Sequence, residues 1–291
     1  MEPVSCTGKK ILLTFDIEDW FQVENFKSHI DYSSWPTQEF RVERSTHELL
    51  NLLDGFQSPV HATFFILGWV AKQRPELVRE IHNRGHEVAS HGFAHQLCYK
   101  LTADELLEDL VISKKLLEDI TGHAVSGYRA PSFSISDKVL ELVRNAGYHY
   151  DSSYNSFASH GRYGSCTLPK SRNPDPPLYS FSSSFHEIPV SNLRIGQKLI
   201  PWGGGGYFRL LPGPVHQAGV NHILKKNGCY TFYLHPWEID PDQPRVNEAK
   251  ASLQFRHYVN LKGAKSKLKH FVKGNLKHRF LTCRDFVLLQ K

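Results

Sequence analysis

Six short apolar runs alternate with amphipathic segments along this chain, and that alternation limits the fold more than any other feature. Residues 10–15, 61–67, 87–89, 147–150, 186–190 and 229–234 are strand-length and apolar. The segments between them carry helix punctuation. Ser45 and Glu48 have the spacing of a capping box, with Gly55 as the stop; Thr102 and Glu105 form a second, with Gly122 as the stop. Pro75 suits a first helical turn that ends before Gly85, and Val139, Leu140, Leu142 and Val143 give one more apolar face, ended by Gly147. Strands alternating with helices predict a parallel sheet, rolled into a barrel or doubly wound. Residues 155–185 and 201–207, rich in Ser, Pro and Gly, read as loops, and an apolar stretch at 286–289 reads as a last strand.

The polar residues fall where such a sheet gathers them. Asp16, His91, Asp151 and His235 each stand at or just past the carboxyl end of a run, and Arg129 lies in the short segment before Pro131. In parallel α/β proteins those ends converge on one face, where active sites lie. One such residue is weak evidence, since Asp16 alone could cap a helix, Arg129 could join a structural ion pair and Asp151 could start a turn. Five together are hard to treat as separate accidents. His91 and His95, four positions apart, with a carboxylate from Glu18 or Asp19, make a ligand set for a catalytic divalent metal, zinc being the expected ion. Strand alternation puts Glu18 on the face of Asp16 and favours it; a strand ending earlier would let Asp19 reach instead. Metal-activated water, Asp16 as base and His235 as acid then suffice to hydrolyse an acetamide.

The ordered set Thr14-Phe15-Asp16, His91-Gly92-Phe93-Ala94-His95, Arg129-Ala130-Pro131, Asp151-Ser152-Ser153 and Leu234-His235-Pro236-Trp237 resembles the NodB-like polysaccharide deacetylases, carbohydrate esterase family 4. The resemblance runs from about residue 11 to 238 and implies a distorted (β/α) barrel with fewer than eight regular units. It implies that Arg129 pairs with Asp16, and that Asp151 contacts substrate or orients a neighbour, with Pro131 of the Arg-x-Pro motif near the sugar; Trp237 and Tyr207 are expected in a sugar groove because aromatic faces stack on sugar rings. Trp20, Phe21, Phe93 and Trp202 are further aromatic candidates for a sugar groove. The family's opening motif has two adjacent aspartates; here Ile17 follows Asp16, which leaves Glu18 and Asp19 as the alternatives. The Phe15–Trp20 wording and a basic C-terminal extension resemble a subgroup associated with exopolysaccharide loci. The expected substrate is an acetylated amino-sugar polysaccharide or its lipid-linked precursor, losing N-acetyl or O-acetyl groups. An allantoinase-like hydrolase of another C–N bond and a catalytically silent glycan-binding domain are the rivals.

Net charge is +6 but unevenly placed: residues 241–291 hold 12 Lys/Arg against 3 Asp/Glu, or +9, and the remainder 23 against 26, or −3. We therefore expect a catalytic domain over residues 1–240 and a small basic extension over 241–291, able to meet an acidic glycan or a membrane surface. Nucleic acid is not expected, because the basic residues lack interleaved aromatics beyond Phe255, His257 and Tyr258. Five cysteines without a CxxC pair, and no apolar leader or spanning stretch, predict a cytoplasmic protein.

Overall fold

The computed structural model describes residues 8–157 and 163–290. The expected 155–185 loop thus lies partly outside the described residues. Strand β1 (Lys10–Ile17) is the spine. It pairs in parallel with β10 (Cys229–Leu234) on one side, and on the other with β2 (Thr63–Ile66) through its second half and β11 (Arg279–Leu281) through its first. The sheet continues in parallel through β3 (Glu87–Ser90), β4 (Gly127–Tyr128), β5 (Tyr150–Asp151) and β7 (His186–Glu187), and ends on antiparallel β6 (Tyr179–Ser180). The result is a curled, incompletely closed α/β barrel. Its open side is crossed by backbone bonds from Ser191 to Thr231 and from Tyr233 to Gly203, while β8 (Asn192–Ile195) and β9 (Lys198–Pro201) form a separate hairpin.

Alternation along β1 explains two cores. Ile11, Leu13, Phe15 and Ile17 point outward and pack with helices α1 (Val42–Asp54), α3 (Pro75–Asn83), α4 (Ala103–Thr121) and α5 (Asp137–Asn145), through residues such as Leu49, Ile81, Leu110 and Val143. Leu12 points inward with Phe65, Ala89, Tyr150, Ile188 and Cys229. Cys283, Phe286 and Val287 of the final helix, α10 (Cys283–Leu288), complete that inner cluster. The N–H groups of Cys283 and Arg284 donate to Thr63 Oγ1 and Glu87 Oε2 at the amino-terminal ends of β2 and β3, so α10 plugs that mouth of the barrel. The opposite mouth is left for the site.

The structure corrects three local expectations. The stretch at 286–289 is helical, capped by Thr282; four apolar residues cannot distinguish a strand from one helical face. Only part of 201–207 is loop, because helix α6 (Gly205–Leu210) starts within it. Helix α1 begins at Val42 rather than after Ser45, because the Asp19 carboxylate accepts from the N–H groups of Arg41 and Val42 and caps it from a distance. The box at Thr102 and Glu105 forms, and Gly122 ends α4 in the left-handed conformation that glycine favours. Short helix α2 (Gly68–Gln73), helix α7 (Gly213–Asn227), and helices α8 (Ala251–Tyr258) and α9 (Leu261–Asn275) in the basic segment complete the chain. Among the described residues, no helix is long and apolar enough to cross a membrane.

Candidate active site

In-register pairing carries the strand ends to one rim: Asp16 lies opposite Phe65, Ile66 opposite Ser90, Ser90 opposite Tyr128, and Tyr128 opposite Asp151. The residues just past those ends, Glu18, His91, Arg129 and His235, therefore meet although they are far apart in the chain. Glu18, His91 and His235 line a cavity of ≈ 470 Å³ whose walls include Phe133, Tyr207, Tyr233 and Trp237, and Arg129 lies behind Asp16.

Glu18, His91 and His95 present one ligand atom each, all within 4.8 Å of one another, and all three residues are buried. His91 Nδ1 lies 2.7 Å from the Arg129 carbonyl, which can only accept. Nδ1 therefore carries the proton and Nε2 keeps its lone pair for the cavity, the arrangement of a metal-binding histidine. Burial pushes His91 down to about 4, which keeps it neutral. His95 sits at φ +51°, a strained setting for a non-glycine residue. Its Nε2 is 2.7 Å from Glu18 Oε2, yet that buried oxygen makes no hydrogen bond. A buried carboxylate oxygen left without a donor, facing an imidazole nitrogen, suits a cation between them. Burial works to raise Glu18, but the surrounding imidazoles, His95 foremost, outweigh it and hold the carboxyl well below its usual range. The other oxygen, Oε1, accepts from Trp237 Nε1 at 3.1 Å.

Asp19 is turned away. Its oxygens accept from the N–H groups of Trp20, Arg41 and Val42, at 2.8, 2.7 and 2.8 Å. Burial still pushes it up to about 6.

Asp16 Oδ1 accepts from Arg129 Nη1 at 2.6 Å. That guanidinium is fully buried, donates also to Thr14 Oγ1, Ser152 Oγ and the Ser152 carbonyl, and lies 4.1 Å from the Phe65 ring. Such a fixed cation engages Asp16 through Oδ1 and leaves Oδ2 to face the cavity. His235 Nε2 is 3.9 Å from that Oδ2 and 3.5 Å from Glu18 Oε1. Nδ1 of His235 is 2.8 Å from Glu238 Oε1. Burial works to lower His235, but the charges of Glu18 and Glu238 win and raise it to about 9.

Glu238 was not anticipated from sequence. It receives Arg209 Nε at 2.8 Å, and Arg209 also donates to the carbonyls of Arg256, His257 and Val259. A Cβ at Gly205 would overlap the Glu238 carboxylate, so glycine there lets α6 approach it. Trp237 stacks between His235 and His257, at centroid distances of 5.0 and 4.1 Å. The His-x-x-Glu spacing of His235 and Glu238 was the available signal, since it is that of a capping box.

Two expected substrate contacts lie off the cavity. Asp151 is fully buried and spends its oxygens on the Ser153 N–H and hydroxyl; Ser153 Oγ in turn accepts from Ala130 N–H. Through Ser153 it is thus linked to the backbone of the Arg129–Pro131 segment. Pro131 is buried, while its neighbours Ser132 and Phe133, at φ +51° and +56°, reach the wall. Of the aromatic candidates, Tyr207 and Trp237 line the cavity; Trp20, Phe21 and Trp202 are buried elsewhere in the core.

Comparison with known proteins divides the chain at the middle of this site. A family model described as polysaccharide deacetylase matches residues 5–150, half of the chain. A second, described as a domain of unknown function (DUF3473), matches residues 152–288. Glu18, His91 and His95 fall in the first match; His235 and Glu238 fall in the second. A peptidoglycan deacetylase of Helicobacter pylori is 34% identical over 114 residues, covering 39% of this chain and 38% of the relative. Chitin deacetylase 1 of Cryptococcus neoformans is 28% identical over 97 residues, covering 33% and 21%. The matched stretches span less than half the length of these curated relatives. A Mycobacterium smegmatis crystal structure of a candidate polysaccharide deacetylase superposes over 99% of this chain and 92% of its own, with a TM-score of 0.62 at 20% identity, which establishes a shared fold.

Proposed function

The chain belongs to the polysaccharide deacetylase family, and from that premise we propose that it hydrolyses N-acetyl groups, or O-acetyl groups, on an amino-sugar polysaccharide or a lipid-linked precursor. The observation that carries this reading is the convergence of Glu18, His91 and His95 beside Asp16 and His235 in a single cavity. Relatives named for action on peptidoglycan and chitin support the substrate class.

Glu18, His91 and His95 would hold a divalent cation, and a mixed nitrogen and oxygen donor set suits zinc. When bound, such an ion supplies Lewis-acid polarisation of a water and of the amide carbonyl. Asp16, positioned by Arg129, takes the proton from the attacking water. His235 gives a proton to the departing nitrogen from Nε2, because Glu238 occupies its Nδ1–H. Tyr207 offers a ring face to the sugar, while Trp237, its faces covered by His235 and His257, lines the cavity by its edge. Asp19 serves the fold, and Glu18 would be the carboxylate ligand.

Residues 1–240 are read as the catalytic domain and 241–291 as a basic extension packed onto it, a view supported by the seating of β11 and α10 against the barrel. The extension would face an acidic glycan or a membrane. Its charge, together with the Phe15–Trp20 wording, supports the exopolysaccharide-locus subgroup. Unpaired Cys98, Cys166, Cys229 and Cys283 favour a reducing, cytoplasmic setting.

Acetate release from a panel of N-acetylated and O-acetylated oligosaccharides tests the reading. We expect release that stops on chelation and returns with zinc. Sugar binding with no acetate release from any member would replace it with a binding role.

A further inference from the structure

Four helices on one side of the molecule contain no acidic residue. Helices α6, α7, α8 and α9 together hold nine Lys/Arg and no Asp/Glu. Helix α9 packs against both α6 and α7. Its buried face is Leu261, Ala264, Leu268, Phe271, Val272 and Asn275. Lys262, Lys265, Lys269 and Lys273 follow spacings of three, four and four residues, which places them on one exposed stripe. Lys265 is tied to Glu48 of α1. Arg256, Lys262, Lys269 and Lys273 have no ion-pair partner among the described residues.

The same helices carry large apolar side chains in the open. Phe255 is 62% exposed, Val215 49% and Leu210 48%. Phe255 and Leu210 stand at the cavity's walls with Arg256, and α9 begins two residues past Val259, another wall residue. Between α7 and α9 runs a groove based on Phe208 and Phe271 and edged by Lys267 and His270. Apolar side chains projecting from cationic helices that carry no Asp or Glu are the signature of a monotopic membrane contact. A soluble polyanion would be met by the charge alone and gives Phe255, Val215 and Leu210 nothing to bury against.

We propose that this face, made by α6 to α9, docks the protein on the surface of an anionic lipid bilayer, with the cavity opening toward the membrane. Lysines of the α9 stripe meet the lipid phosphates, and Phe255, Leu210 and Val215 enter the headgroup layer. Docking does not depend on the deacetylation reading: it is a property of the surface and is measured without substrate.

The test is co-sedimentation of the full chain with phosphatidylcholine vesicles and with vesicles containing phosphatidylglycerol. Binding to the anionic vesicles should exceed binding to the neutral ones by about tenfold or more, and weaken as salt rises. The triple variant Lys262→Gln, Lys269→Gln, Lys273→Gln should lose about tenfold. Phe255→Ser should remove the part of binding that survives high salt, while thermal unfolding of both variants matches the parent. Equal binding to both vesicle types, an unaffected triple variant, or retention on soluble polygalacturonate without vesicle binding would each overturn the proposal.

Discussion

At the scale of single residues, the site separates tasks among side chains of the same type. Glu18 and Asp19 are adjacent and both buried, yet one faces two imidazoles and the other faces backbone N–H groups. Asp16 is held by a cation that has no exposure to water, so Asp16→Asn should lower turnover by about 10²–10⁴ and keep the metal, at a cost in stability because buried Arg129 loses its counter-charge. Steady-state kinetics beside metal analysis checks this, and unchanged turnover would remove Asp16 from the mechanism. His235 offers a titration. In metal-free protein its folded value lies near 9, above the ordinary 6.5. The protonated form therefore stabilises the metal-free fold fully below about 6.5. That contribution is lost as pH rises through 9. Loading a divalent cation should lower the value, because the charge on Glu18 that helps hold it up becomes shared. Glu238→Gln should lower it as well. Proton NMR of the ring follows both shifts; a titration at or below 6.5 in the metal-free parent would contradict the arrangement.

Elements were legible where their signals are local and obscure where a distant residue supplies them. Thr102 and Glu105 mark α4 because both halves of the box lie within one turn. The start of α1 could not be read, because its cap comes from Asp19, more than twenty residues upstream. Asp19→Ala should therefore cost about 1–3 kcal/mol in chemical denaturation, with metal content unchanged. A loss of metal with full stability would reverse the assignment of the two carboxylates. The final helix shows a different limit. Phe286 to Leu289 is too short a run to reveal its period, although Thr282 and Asp285 already held the capping signal. Since Phe286 fills the inner core, Phe286→Ala should destabilise by about 3–5 kcal/mol. A cost below about 1 kcal/mol would show that α10 does not seal the barrel.

For the whole molecule, the parallel sheet made much of the site predictable: polar residues at strand ends were bound to meet on one rim, and Asp16, His91, Arg129 and His235 do. What stayed hidden was the support around them. Thr14 and Ser152 hold Arg129, and Arg209 holds Glu238, across separations that no sequence period encodes. The basic segment is also woven in, since Arg209 grips three of its carbonyls and β11 pairs with β1. A chain cut after Asp240 should consequently lose cooperative thermal unfolding; an unchanged melting temperature would show that the extension is a mere appendage. The central claim is that Glu18, His91 and His95 share one cation, and the most direct measurement is metal content by mass spectrometry of the purified parent and of Glu18→Gln, His91→Ala and Asp19→Asn. The account predicts about one divalent ion per chain in the parent and in Asp19→Asn, and almost none in Glu18→Gln and His91→Ala. Full occupancy in Glu18→Gln together with loss in Asp19→Asn would contradict it.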